Sequence, residues 1–530
     1  MNRTLLTSLS LLATFSAFAG EIITYNNIDF TVISTENNIL EVCQIKEEED
    51  VQELVIPGSF QLDDITYKVE GIGYQAFTEL QQTTSVTIEE GIIYLDELAF
   101  YGNSCIETVR LPHSLQSLGD ACFQNCTALA NIIIPENVKD FGNYVFYGCE
   151  TLSSVILTND MTEVPEYTFY GCKSLTGIEI PSSVTEIETF SFCNCIALKD
   201  LKIKGDIKTI RHNAFRNCNS LTELPVSADT EYIGDNAFEG CTSITDLDLS
   251  IIDAKWGEGV FFGCTSIRRV TLPNNLQRIE NATFADCSSL SQVIFTDSLT
   301  EIGERAFANC HSLTGITFPE NLTLIDKYAF TGDGLQHIFF NNSSAVIGEG
   351  VFENNVSLTK INISGVTEIG DRAFANCIGL QEIEIDNKVH TIGTYAFENC
   401  PALMIIYMRS PIPPTITINT FPKYVEDYAT LYVMDGYRRV YALATYWERF
   451  LNIHESHNFP SGITTDITKD VAISVYDSTL HIENYIGTLT IYTLDGRLVS
   501  SSYSNGNSIF VLPNGLYILM LNGTHRSIII

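Results

Sequence analysis

Apolar residues recur along this chain at a period far longer than that of a helix or a strand. Phenylalanine falls at 77, 100, 123, 146, 169, 192, 215, 238, 261, 284, 307 and 330, always 23 residues apart. It continues at Phe352, Phe374, Phe397 and Phe421 with slips of one residue. Other positions move with it. Five residues earlier stands an apolar residue, often followed by Gly, as in Ile72-Gly73, Leu118-Gly119 and Ile392-Gly393. A small or β-branched residue such as Ala76, Ala214 or Ala306 comes one before the Phe, and Cys usually comes three after it. Six after it is Leu or Ile, as at Leu129, Leu152 and Leu313. Two apolar residues then flank one variable residue, as in Ile132/Ile134, Val155/Leu157, Ile178/Ile180, Val270/Leu272 and Ile383/Ile385. Pro often closes the unit, as at Pro112, Pro135, Pro181, Pro273 and Pro319. Self-similarity at a fixed interval is the mark of a stacked repeat.

Each part of the unit has a physical reading. The Ile-x-Ile alternation has period two and predicts a short strand with both flanking residues inward. Pro ends that strand by withholding a backbone donor. The Gly serves either to turn at positive φ or to let the chain pass close to its neighbour. The stretch around Ala-Phe is too short for a helix, so a turn or a 3₁₀ piece is expected there. One coil cannot bury its own Leu, Ile and Phe, whereas a coil stacked between two others can. About fifteen coils with strands ~4.8 Å apart would extend on the order of 70 Å.

The unit I-G-x-x-A-F-x-x-C-x-x-L-x-x-I-x-I-P resembles the BspA-like leucine-rich repeat found on surfaces of Bacteroidetes and of some parasitic protists. The resemblance runs from about Ile72 to Phe421. Lys204, Ser227 and Ser250 depart from it where Pro is usual, and Asp333 and Asn355 replace Cys; these look like tolerated irregularities. It implies a mainly β fold, a leucine-rich-repeat solenoid of about fifteen 23-residue coils over residues 71–422 with a cap at each end.

The ends differ from the repeat. Arg3, the apolar stretch 5–18 and Ala17-Phe18-Ala19 form the pattern of a signal peptide cut after Ala19, so 1–19 is expected to be removed. Residues 20–70 form an expected N-terminal β cap with strand-like pieces at 22–25, 28–33, 39–44 and 54–57. Its Glu47-Glu48-Glu49-Asp50 run is expected as a solvated loop. Residues 423–455 are expected to close the array with a strand near 430–434 and an amphipathic helix burying Val440, Leu443, Trp447 and Phe450. A linker at 456–467 then leads to 468–530, where short strands and Gly-rich turns predict a small β-sandwich. Its Asp-Gly-Arg turn, with Gly496 and Arg497, and its Gly-Leu-Tyr strand, with Gly515 and Tyr517, resemble the C-terminal sorting domain of the type IX secretion system. That resemblance implies a Gram-negative, Bacteroidetes-like cell, export, passage over the outer membrane by the type IX machinery, and removal of the domain at the surface. The end at 527–530 lacks the Lys often found near such termini.

Composition narrows the partners. The formal net charge is −36 although 45% of residues are hydrophobic, so a rich core lies under a self-repelling surface. Nucleic acid and anionic membranes carry charge of the same sign and are disfavoured. No run of roughly 18 apolar residues follows the leader, so no transmembrane segment is expected. Eleven of the 15 Cys (126, 149, 172, 195, 218, 241, 264, 287, 310, 377 and 400) share one repeat position, which predicts a buried ladder of free thiols rather than a disulfide framework. Cys43, Cys105, Cys122 and Cys193 stand outside it and leave room for one bridge. His454 and His457 lack a third ligand. No metalloprotease, nucleophile-elbow, phosphate-loop or dinucleotide motif occurs, so neither enzyme, cofactor nor metal is expected.

Function is therefore expected on the outward residue of each Ile-x-Ile triplet. That row reads Thr87, Arg110, Ile133, Ile156, Glu179, Lys202, Pro225, Asp248, Thr271, Ile294, Thr317, Phe339, Asn362, Glu384 and Tyr407. Arg110, Ile133, Ile156, Glu179, Lys202, Asp248, Phe339 and Tyr407 are its candidate contacts, with Ile133 and Ile156 an apolar spot and Phe339 and Tyr407 exposed aromatic anchors. Arg268-Arg269 is a basic patch on an acidic chain. The expected function is a secreted or outer-membrane surface protein that binds protein or glycan partners in adhesion. The alternative is a structural envelope component with no specific ligand.

Overall fold

The computed structural model describes residues 20–46, 51–341, 344–456, 472–476, 479–493, 498–511, 516–521 and 524–529. The expected leader, the acidic run 47–50 and linker residues 457–467 lie outside them, as do Gly496, Arg497 and Gly515. The fold is mainly β, a leucine-rich-repeat solenoid of about 17 turns. Glu53–Ile56, Thr430–Met434 and Asn452–Ser456, outside the expected 71–422, pair in parallel with the repeat strands or with one another. The chain divides into two compact units, Met1–Ser312 and Leu313–Ile530.

In the first unit most coils supply two strands, one in each of two rows. The expected Ile-x-Ile strands pair in parallel, beginning with Glu53–Ile56 against Ser85–Ile88 and continuing through Thr108–Arg110, Asn131–Ile133 and Ser154–Ile156. Their inward residues, such as Ile132, Ile134, Ile178 and Ile180, are buried. A second row of two-residue strands includes Tyr94–Leu95, Ser117–Leu118, Asp140–Phe141, Glu163–Val164 and Glu186–Ile187, also parallel. The Ala-Phe stretch is a turn, and its Phe side chains form one column. From Phe77 to Phe307 the rings of successive coils stack nearly parallel, with centroids 5.2 to 5.9 Å apart.

Two glycine positions have distinct jobs. The residue two after the Phe is left-handed: Gly102 has φ 75°, Asn125 60°, Gly148 70° and Asn194 61°. Gly and Asn tolerate that region best, and they fill it in most coils, with Glu79 and Asp286 the exceptions in the first unit. The Gly after the second strand is not left-handed. At Gly119 an added Cβ would lie 2.6 Å from the Asp96 carbonyl carbon, and at Gly142 2.6 Å from the Asp120 nitrogen. Of the two roles open to that glycine, close passage is the one it plays.

At the N-terminal end, the antiparallel strands Ile22–Tyr25, Ile28–Ser34 and the hairpin Ser59–Leu62/Ile65–Ile72 flank Ile39–Ile45. Ile65–Ile72 then pairs in parallel with Tyr94–Leu95. Tyr25 stacks on Phe60 at 4.2 Å. Buried Asp29 accepts from Thr24 Oγ1 at 2.6 Å and Gln44 Nε2 at 2.9 Å, which holds its carboxyl below the ordinary range.

The second unit repeats the plan. Lys360–Ile363, Glu382–Ile385, Ile405–Met408, Thr430–Met434 and Asn452–Ser456 form a five-stranded parallel sheet. Phe330, Phe352, Phe374, Phe397 and Phe421 stack at 4.9 to 5.9 Å. The closing segment differs from expectation. It holds two short helices, Lys423–Tyr428 and Arg438–Ala442, and a 3₁₀ turn, Trp447–Arg449. Trp447 and Phe450 are buried as expected, but Val440 and Leu443 are 42% and 74% exposed and Tyr441 is buried instead. The second helix ends too early for i, i+3, i+7 spacing to hold, because the chain reverses at Tyr446 with φ 69°. Tyr441 Oη donates to the Ser410 carbonyl at 2.9 Å and Trp447 Nε1 to that of Pro414 at 2.8 Å, so both buried polar tips are satisfied.

Beyond residue 471 the described strands are antiparallel: Ala472–Tyr476, Thr479–Thr493, Leu498–Val511, Leu516–Leu521 and Thr524–Ile529. Thr479–Thr493 and Leu498–Val511 are each one long strand where two short ones were expected. Tyr517 lies on Leu516–Leu521, opposite Ile528.

Candidate binding face

The outward residues of the first unit stand in register across parallel strands. Ile133 pairs with Ile156, and Glu179 with Lys202. Ile133 is 64% and Ile156 60% exposed, so two adjacent coils present bare branched side chains to solvent. Arg110, Glu179, Lys202 and Asp248 are exposed as expected. Glu179 pairs with Lys204 at 3.4 Å across more than half-exposed side chains, a contact of little energy. Beside Ile156 and Glu179 a groove of about 670 Å³ is lined also by Asn159, Pro181, Ser182 and Lys204. Pro225 is a correction: it is buried, and residues 223–226 form no strand. Proline's missing donor explains the loss of the ladder there. Arg268 and Arg269 are both exposed, and Arg269 lies between Asp246 and Gln292 on neighbouring strands.

The second unit's face is different. Phe339 and Tyr407 are half-buried rather than exposed anchors. Phe339 lies beside Thr317, and Tyr407 stacks on Tyr432 with centroids 5.1 Å apart. Glu384, between Asn362 and Tyr407, is only 1% exposed. It accepts from Asn362 Nδ2 at 3.1 Å and pairs with Arg409. Burial raises its carboxyl above the ordinary value, and Arg409 only partly offsets this. These side chains satisfy one another.

The cysteine ladder is built as expected and does more than fill space. All 15 Cys are free, and no bridge joins Cys43, Cys105, Cys122 and Cys193. Each ladder thiol donates to the Phe carbonyl of the preceding coil. Cys126 Sγ reaches Phe100 O at 3.2 Å, Cys195 Phe169 O at 3.0 Å, and Cys400 Phe374 O at 3.1 Å. Burial pushes the Cys126 and Cys264 thiols up to about 12, which keeps the donor proton in place. Asn355, which departs from Cys, makes the same bond through Nδ2 to Phe330 O at 2.8 Å and also accepts from the Leu335 N–H. Asn103 does likewise toward Phe77 O and Leu80. These Asn were the available signal: Cys and Asn share a short side chain that can donate.

Among the described residues, no group of three His, Cys, Asp or Glu is arranged to hold a metal ion, and no helix is long and apolar enough to cross a membrane. His454 is exposed on Asn452–Ser456, while His457 lies outside the described residues.

Comparison with known proteins follows the same lines. A leucine-rich-repeat protein from Bacteroides ovatus is 25% identical, with a TM-score of 0.52 over 69% of this chain and 95% of its own. A leucine-rich cell surface protein from Faecalibacterium prausnitzii is 22% identical over 74% of this chain and 95% of its own, with a TM-score of 0.41. No curated protein matches the chain. The model of the BspA type leucine-rich repeat region matches residues 59–176, 162–291, 277–404 and 345–424. With most of its length matched in overlapping stretches, and with the Phe column and paired strands already in view, the chain belongs to the BspA-type leucine-rich-repeat family.

Proposed function

We propose that this protein is displayed at a cell surface and binds a protein or glycan partner through the strand face of its first unit. The observation that carries the reading is the pair Ile133 and Ile156, exposed side by side in a row that also exposes the charged Arg110, Glu179 and Lys202. An apolar centre with a charged rim is the anatomy of a protein interface. The solvent cost of holding two bare isoleucines in register is recovered when a partner covers them. The fold supports binding by a fixed scaffold whose variable outward residues do the reading, and no catalytic step is assigned to it. Export by residues 1–19 and sorting by the type IX machinery through 468–530 belong to the same proposal, as does adhesion to host matrix, host cells or other bacteria.

The test is an array of extracellular-matrix proteins and glycans probed with the full chain and with Ile133→Ser/Ile156→Ser. Capture lost in the double variant, with unfolding unchanged, is the expected result. Capture equal in both would move the site elsewhere. Protease shaving of intact cells, with mass spectrometry of the mature C-terminus, tests the display. An intact C-terminus on a protein shielded from protease would overturn the sorting assignment.

A further inference from the structure

A second surface of the first unit carries side chains that its coils do not need. In three successive coils the turn positions two before and one after the column Phe hold Tyr144, Tyr147, Tyr167, Tyr170 and Phe190. The rings form a half-buried plate. Tyr144 stacks on Tyr167 at 4.7 Å, Tyr167 on Phe190 at 4.8 Å and Tyr147 on Tyr170 at 4.7 Å, while Tyr167 and Tyr170 sit 5.8 Å apart and join the two rows.

The fold does not require these rings. The position two before the column Phe is left-handed in coil after coil: φ is 59° at Tyr144, 55° at Tyr167 and 57° at Phe190, but also 56° at Asn213 and 53° at Asn236. Asn213 and Asn236 donate their N–H to the next coil at 2.9 and 2.8 Å, as Tyr144 does at 2.9 Å. Asn occupies this region at less cost than a bulky aromatic does. Gln124 and Arg216 likewise fill the position that Tyr147 and Tyr170 hold. Five rings in three coils are therefore an addition to the repeat rather than a part of it, and aromatic plates of this kind are favoured contact surfaces.

The surroundings say what covers the plate. Phe141 and Gly142, just before Tyr144 in the chain, and Pro165, just before Tyr167, line a groove of about 580 Å³. The same groove is lined by Asp96, Asp120, Asp140, Asp160 and Glu163 against a single Lys139. None of these five carboxylates forms an ion pair among the described residues, whereas Glu186 and Glu188, one coil on, are taken by Arg211. We infer that plate and groove together dock a basic polypeptide segment, its apolar side chains against the ring edges and its Arg or Lys in the groove. Charge complementarity selects this occupant: a second copy of a chain of net charge −36 would bring like charge to the same groove. The surface is formed by the second row of strands and the turns, so the inference stands apart from the proposal for the Ile-x-Ile face.

The experiment titrates the full chain with a short fluorescent peptide of alternating Arg and Phe, read by anisotropy, with a Glu-Phe peptide as control. Saturable binding of the Arg-Phe peptide alone is expected. It should weaken about tenfold in Tyr147→Gln/Tyr170→Gln, whose side chain already occurs at that position in the fold, and about tenfold in Asp140→Asn/Glu163→Gln. Asp229→Asn/Glu231→Gln, which removes the same charge elsewhere on the unit, should leave it unchanged. Three results would each overturn the inference: no saturable binding, affinity indifferent to the two Tyr substitutions, or equal losses from the Asp140/Glu163 and Asp229/Glu231 pairs.

Discussion

The strand faces of the two units are built from the same kind of coil, yet their outward side chains differ in character. In the first unit Ile133 and Ile156 meet solvent, and Arg110 and Lys202 are exposed in the same row. In the second unit the equivalent row is spent on itself: Asn362 bonds Glu384, Glu384 pairs with Arg409, and Tyr407 stacks on Tyr432. A repeat fixes where a side chain stands but not whether its neighbour satisfies it. Availability for binding is a property of adjacent pairs of coils.

Four expectations sharpen or break this comparison. The buried column should be indifferent to it. Phe215→Ala and Phe374→Ala should each cost about 3–5 kcal/mol in urea unfolding, since both rings are fully buried between stacked neighbours. The outward row should separate the units. Glu384→Ala should cost about 2 kcal/mol by stranding Asn362 and Arg409, while Ile156→Ser should stay within about 0.5 kcal/mol; equal costs would erase the contrast. Cys241→Ala removes the donor to Phe215 O at 3.2 Å and should cost about 1 kcal/mol, a loss common to any ladder coil. The smallest effect is a pH slope. The folded second unit holds the Glu384 proton more tightly than the unfolded chain does, so stability from this group rises as pH falls from its raised folded pKa toward the ordinary value of 4.5. Comparing the pH dependence of unfolding with that of Glu384→Gln reads it, and a slope of opposite sign would show that Arg409 outweighs burial.

Much of this was legible because the chain states it many times. One Phe column, one inward Ile-x-Ile pair and one Cys position recur until chance is excluded, and strand, core and free-thiol ladder follow. What escaped was set by too few residues or by residues too far apart. Leu95, Leu118 and Val164 sit on strands of two residues, too short for any alternation to show. The charged partner of buried Glu384 is Arg409, 25 positions away and on the next coil. Val440 and Leu443 fit a helical spacing that their five-residue helix does not sustain. Pro225 occupies an outward position in the pattern, but its own chemistry removes the strand that would have pointed it outward.

The turn-to-turn bonds all span nearly the same interval, as when Asn309 donates to Asp286 or Asn399 to Asn376, 23 residues back in each case. A regularity of this kind lets the array change length by whole coils. A DNA segment encoding one coil can be copied or lost by unequal crossing-over between its own repeats, and the neighbours re-form the same contacts across the junction. Array length can then drift in lineages at little cost in folding. Each added coil also places a fresh outward residue beside an old one, so the surface can change by insertion as readily as by substitution.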